Sequence, residues 1–303
     1  MNNTTEENNT TDSSLQLVKA TFYLLDFLIC CFFTILITQT IWRDSALKKE
    51  VRFFLLCHHL MCLTLFFMTG TVFTFLRALR ANAPAIVCWI IFAVQISIGR
   101  GVLLSLALMA LNTCIAVCWP LNYQKFAHSA KPKIVACSWI ISLFDPTISV
   151  IYEIIAKGPK DSVRLDPSCP TTLSSLLSRV TGIVFVIIIV SLIIGSYITI
   201  YKEGKRAGHF TNTNKNARRT IFIHGLQIVL HIIPTILAIA LYNKNTVYLM
   251  LDLVSFIFFS CAQCASPIVY GLRCKDLRDK FDERYLCHVK QVSATGEGNN
   301  YSR

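Results

Sequence analysis

Seven apolar runs dominate this chain, at about residues 20–42, 51–76, 86–114, 134–156, 175–201, 217–241 and 247–271. A helix of roughly 20 apolar residues crosses the hydrocarbon of a bilayer, so every run is long enough to span. The apolar part of the third extends from Ala85 to about Val117, which predicts a tilted span with one end projecting into water. Only 15% of the 303 residues are charged and 54% are hydrophobic, against about 25% charged in average soluble domains. A soluble fold has no means of hiding so many unbroken apolar stretches. The expected fold class is therefore an all-α membrane protein, a seven-transmembrane helix bundle over residues 20–271.

Charge sets the expected orientation. The net charge of +12 is read by position, as a membrane signal and not as a sign of nucleic acid. Connectors 42–52, 115–133 and 201–219 and the tail 272–303 hold 20 Lys and Arg, whereas the opposite side holds 8. The richer side is predicted to be cytoplasmic. Residues 1–19 form a polar N-terminal tail with overlapping glycosylation sequons at Asn2, Asn3, Asn8 and Asn9, which independently predicts an extracellular N-terminus. That tail lacks a signal-peptide pattern, so the first span is expected to act as the targeting signal. In the connector 157–174, Gly158, Pro159, Pro167 and Pro170 argue against helix.

After the last run, Arg273–Cys287 places Leu277, Phe281, Tyr285 and Leu286 near helical spacing with charges between them. This predicts a short amphipathic eighth helix over 272–287 on the inner membrane surface, with Cys287, and less securely Cys274, open to palmitoylation. The competing reading is a solvated charged tail with an incidental cysteine. Residues 288–303 read as a disordered cytoplasmic tail.

The chemistry-bearing residues exclude several classes. Nine of the 13 cysteines lie in or beside apolar runs, where the thiol behaves as a small hydrophobe. Cys261 and Cys264 have no matching pair at zinc spacing. His58, His59, His224 and His231 read as hydrogen-bonded interior groups. No metal, no cofactor and no enzymatic activity are expected, because no cluster of carboxylates or histidines falls at one depth. No internal repeat points to a transporter. Ionisable groups within spans are costly in hydrocarbon and are functional candidates. Arg100 lies twelve residues past Cys88, about 18 Å along a helix, and Asp145 falls at comparable depth in the fourth run. They are expected to pair between adjacent helices; the alternative is that Arg100 faces a cavity and binds an anionic ligand. Asp26 has no partner that the sequence identifies.

The third run ends Met109-Ala-Leu-Asn-Thr-Cys-Ile-Ala-Val-Cys-Trp-Pro-Leu-Asn-Tyr123. This resembles the Met-Ala-x-Asp-Arg-Tyr-x-Ala-x-Cys-x-Pro-Leu-x-Tyr segment of rhodopsin-like receptors, and in particular of the odorant-receptor family. The frame is kept, but Asn112, Thr113 and Cys114 replace the Asp-Arg-Tyr centre. Ser266-Pro267-Ile-Val-Tyr270 resembles the Asn-Pro-x-x-Tyr signature, the fifth run ends in the odorant-receptor wording around Tyr197, and Arg218 and Arg219 stand in the basic segment that opens the sixth helix. The wording is closest to fish-type odorant receptors.

The resemblance implies further expectations. Cys88 and Cys169 form the disulfide that pins the second outer loop over the binding cavity. Pocket positions map onto Phe92, Gln95, Ile96 and Gly99, Thr181 and Phe185, Thr235 and Ile239, and Phe256 and Ser260; the competing reading is that several only pack against neighbours. Tyr197, Pro267 and Tyr270 take switch roles, against the reading of both tyrosines as interfacial residues. Ser260 stands where a retinal-binding lysine would be, which disfavours a photoreceptor. The implied partners are a small-molecule odorant, membrane lipid and a heterotrimeric G protein of the stimulatory olfactory type. Thr113 cannot make an arginine's charge-assisted contacts, and Ile232 replaces the aromatic usual two residues before Pro234. A divergent non-olfactory receptor or a non-signalling relic is therefore the alternative.

Overall fold

A computed structural model describes residues 2–172, 176–206, 229, 232–233, 246–273 and 280. Helices α1 (Asn2–Arg43), α2 (Ser45–Lys49), α3 (Val51–Ala78), α4 (Ala85–Cys118), α5 (Pro120–Val163), α6 (Leu176–Arg206) and α7 (Thr246–Arg273) follow in chain order, with β1 (Ala83–Pro84) before α4 and β2 (Leu165–Asp166) after α5. Five helical segments are long and apolar enough to span: Ser13–Arg43, Val51–Ala78, Ala85–Cys118, Lys131–Val163 and Ser178–Arg206. Between them they carry Phe32, Phe144 and Ile187 at 61%, 68% and 56% exposure, a load of exposed apolar side chain that suits lipid, not water. The chain is a multi-pass membrane protein. Most of the sixth apolar run, and all but Lys280 of residues 274–303, including Cys287, lie outside the described residues.

Helix α4 packs against α3, α5 and α6, while α1 packs against α3 and α7. Trp89 is fully buried on α4, and Leu103, Ala107 and Ala110 on the same helix join Val186, Ile189 and Ile193 of α6 with Ile232 in one apolar cluster. A second cluster ties Tyr23 and Cys30 of α1 to Cys62, Leu63 and Phe67 of α3 and Ile98 of α4. The close approach of these three helices depends on Gly70, where a Cβ would lie 2.5 Å from the Tyr23 ring and 2.8 Å from the Gln95 amide.

Several boundaries differ from the sequence reading. Helix α1 already includes the polar residues from Asn2, so Asn3, Asn8 and Asn9 lie on its first turns. Residues 115–133, read as a connector, are helical apart from one break at Trp119 (φ −133°, ψ 61°). Pro120 occupies the first turn after that break, where a missing N–H costs nothing. The connector 157–174 is partly helical too. Gly158 takes φ +80°, a conformation open to glycine, and Pro159 restarts a helical turn that reaches Val163. The Ser162 hydroxyl closes that turn by donating to the Gly158 carbonyl at 2.8 Å. Beyond it β1 and β2 pair antiparallel, Ala83 opposite Asp166 and Pro84 opposite Leu165. Nothing in the sequence marked these two-residue strands.

Candidate functional site: a cavity beneath a tethered loop

Residues 164–169 are fixed to residues 83–88, at and just before the start of α4, at three points. The Ala85 N–H donates to the Arg164 carbonyl at 3.2 Å, β1 pairs with β2, and Cys88 is disulfide-bonded to Cys169 across a separation of 81 residues. Asp166 closes the turn between strand and disulfide. It accepts from the Ser168 hydroxyl at 2.6 Å and from the Ser168 N–H at 2.8 Å. These two donors hold its carboxyl below its ordinary value of 3.8.

Beneath the loop lies a cavity of about 360 Å³, enclosed by α1, α3, α4, α6 and α7 with Pro146 of α5, and with Thr171 and Thr172 of the loop on its wall. Of the sequence-predicted pocket residues, Phe92, Gln95, Ile96, Gly99, Phe185 and Phe256 line it. Their placement follows helical periodicity. On α4 Phe92, Gln95, Ile96 and Gly99 are spaced three, one and three residues apart and share one face. Tyr23, Phe66, Arg100 and Gln263 also line the cavity and were not predicted as pocket residues, although the alternative reading of Arg100 placed it at a cavity.

Two of the expected pocket residues take partners away from the cavity. Thr181 is not on the wall; its hydroxyl donates to the Ser178 carbonyl at 3.2 Å, and Ser178, Gly182 and Phe185 present the inward face of α6 instead. Ser260 is off the wall as well. It is 1% exposed and its hydroxyl donates to Asp26. Cys264 donates to the other Asp26 oxygen at 2.9 Å, so the carboxylate without an identified partner is enclosed by α7. Thr235 and Ile239 lie outside the described residues.

At the cavity floor Arg100 donates to Asp145 of α5, with side-chain exposures of 9% and 20%. The guanidinium also lies 4.8 Å from the centroid of the Phe185 ring, a cation–π contact. His59 is buried and His58 half-buried within the bundle, while His224 and His231 lie outside the described residues. The His59 Nδ1 is 2.8 Å from the Ser105 hydroxyl, and the His58 ring meets Trp139 edge-on at 5.9 Å. No metal-binding group of His, Cys, Asp or Glu occurs among the described residues.

At the opposite end of α4, Asn112 accepts a hydrogen bond from the Tyr123 hydroxyl at 2.9 Å. The Thr113 hydroxyl donates to the carbonyl of Met109 in its own helix at 2.9 Å, and the Cys114 and Cys118 sulfurs are 3.9 Å apart. Tyr197 packs against the α4–α6 apolar cluster. Pro267 is buried within α7. The Tyr270 side chain and residues Arg218 and Arg219 lie outside the described residues. Asp44 caps α2 by accepting from the Ala46 and Leu47 N–H groups at 2.8 and 3.3 Å, and Lys280 approaches it at 3.5 Å.

No protein-family model matches the chain. Among curated proteins it is similar to olfactory receptor 6P1 of Homo sapiens, 23% identical with 92% of each chain covered. It is similar to olfactory receptor 13D1 of Homo sapiens, 23% identical over 78% of this chain and 72% of that one. It is also similar to the probable G-protein coupled receptor 148 of Homo sapiens, 24% identical over 65% of this chain and 59% of that one. In motif wording, helix lengths and curated relatives alike, the chain is similar to the rhodopsin-like G-protein-coupled receptors, and within them to the odorant-receptor family.

Proposed function

We propose that this protein is an odorant-type receptor of the plasma membrane, with its N-terminus outside and its C-terminus in the cytoplasm. It binds a small organic ligand in the cavity beneath the tethered loop and signals to a heterotrimeric G protein of the stimulatory olfactory type. One observation carries the reading: a hollow of about 360 Å³, walled by aromatic and amide side chains of five helices and roofed by a disulfide-held loop. Its size and mixed lining suit a ligand held by dispersion and a few directed hydrogen bonds. In this reading Thr181, Thr235, Ile239 and Ser260 stay candidate ligand-binding positions. In the same reading Tyr197, Pro267 and Tyr270 belong to the switch, Arg218 and Arg219 face the G protein, Asn2, Asn3, Asn8 and Asn9 are the glycan acceptors, and Cys287 is the acylated cysteine.

The test is a cyclic AMP assay in cells that co-express an olfactory G protein, with a panel of small odorants and amino acids. A dose-dependent response to at least one compound is expected. Silence across the panel with full surface expression would favour the second reading, a receptor relic that does not signal. A specific observation favours that second reading: Thr113 spends its hydroxyl on its own helix and Asn112 spends its amide oxygen on Tyr123, where the family places a charged pair.

A further inference from the structure

One amide on the cavity wall has nothing in the protein to bond to. Gln263 of α7 is 0% exposed and lines the cavity, and neither its Nε2 nor its Oε1 has a hydrogen-bond partner. Buried side-chain amides are nearly always satisfied. Gln95 of α4, buried on the same wall, shows the ordinary case and donates to the Tyr23 hydroxyl at 3.3 Å. A buried amide with both ends open weakens a fold, and such exceptions gather at functional sites.

The neighbours of Gln263 fix its place. Ser255, Phe256, Phe259 and Gln263 form the α7 wall, spaced one, three and four residues apart. Helix α1 runs inward from the tethered loop: the Ser13 hydroxyl accepts from Arg80 Nε at 2.9 Å, beside the turn that leads from α3 into β1. Further along α1, the Tyr23 ring lies 4.8 Å from the Phe256 ring, and then Asp26 accepts from Ser260. Helix α7 therefore runs inward beside α1. Gln263 is seven residues past Phe256, about 10 Å along the helix, and so stands at the end of the cavity away from the roof. Between roof and amide the wall is rich in rings, among them Phe66, Phe92, Phe256 and Phe259.

The two open atoms define what completes this amide. Nε2 offers N–H donors and Oε1 an acceptor, side by side. A carboxylate or an ester answers only the N–H, and an ammonium answers only the oxygen. A primary carboxamide or a lactam carries an acceptor and an N–H on one edge and answers both at once.

We propose that the cavity selects a neutral ligand with a carboxamide or lactam end on an aromatic or aliphatic body. The amide end pairs with Gln263 through two hydrogen bonds, and the body lies against the phenylalanines. The proposal rests on the reading of this cavity as the ligand site.

Three uncharged probes of similar shape separate the cases: phenylpropionamide, methyl phenylpropionate and butylbenzene. They offer Gln263 both partners, an acceptor alone and neither. Thermal unfolding of the full-length receptor in lipid nanodiscs is followed at rising free concentrations of each. The amide should stabilise at roughly tenfold lower concentration than the ester, with the hydrocarbon weakest. Gln263→Met keeps the length of the side chain and removes both polar atoms. It should abolish the advantage of the amide over the ester and leave the hydrocarbon unchanged, and Gln263→Leu should do the same.

An ester that stabilises as well as the amide, no stabilisation by any of the three, or an equal loss of all three probes in the Met variant overturns the proposal. The wild-type ranking decides the matter even where neither variant folds. Cyclic AMP silence with the amide preference intact removes the signalling reading and leaves the amide site standing. A cyclic AMP response to the odorant panel that is the same in wild type and Gln263→Met, with no amide preference, keeps the receptor reading and removes the amide site.

Discussion

Arg100 satisfies one charge with two kinds of neighbour, the Asp145 carboxylate and the Phe185 ring face. An isolated guanidinium at this depth would cost several kcal/mol in hydrocarbon, and removing one member of a buried pair costs about 3–5 kcal/mol. Arg100→Ala and Asp145→Ala should therefore each lower surface expression at least about fivefold. The double variant should be no worse than the worse single. Flow cytometry of an N-terminally tagged receptor measures this, and strictly additive losses would mean that the two side chains do not act on each other. These two residues were legible together in the sequence because depth can be counted along two adjacent helices from landmarks such as Cys88. The surroundings of Asp26 were not legible, because Ser260 and Cys264 lie 234 and 238 residues away and only the packing of α1 on α7 brings them near. The same packing turns the Ser260 hydroxyl, which in register reads as a pocket residue, to that carboxylate.

Among the elements, five of the expected spans were legible and their ends were not. Apolar length is a strong signal, but a helix continues into water wherever local chemistry permits, as it does past Pro120 and again from Pro159. The β1–β2 pairing involves two residues a side, too few to leave a period in the sequence. Asp166 makes the loop that follows sensitive to acid in a defined direction. Its two bonds from Ser168 depress its folded-state pKa, so its contribution to loop order is complete above the ordinary carboxylate value of 3.8 and fades as pH falls through the lower folded value. Hydrogen exchange of peptides covering 165–172 should be constant from pH 7 down to about 5, after correction for intrinsic rates, and should speed up below about 4. Asp166→Asn should remove that acid step.

At the scale of the whole molecule, similarity to odorant-type receptors predicts seven crossings with termini on opposite faces. An N-terminal epitope should be accessible on intact cells and a C-terminal one only after permeabilisation; both exposed on one face would leave an even number of crossings and end the receptor reading. The cationic asymmetry along the sequence is what this expected threading rests on. The shape of the cavity was less so, because which of several neighbouring positions faces inward depends on how far each helix is rotated, as Thr181 and Ser178 illustrate. The tethers of the roof have a mechanical outcome. All three join it to residues 83–88, at the start of α4 and the two residues before it, so the roof is tied to that helix and does not lift like a lid on its own hinge. Access to the hollow then depends on how the surrounding helices part, and stiffening the roof further should not change the rate at which a ligand enters.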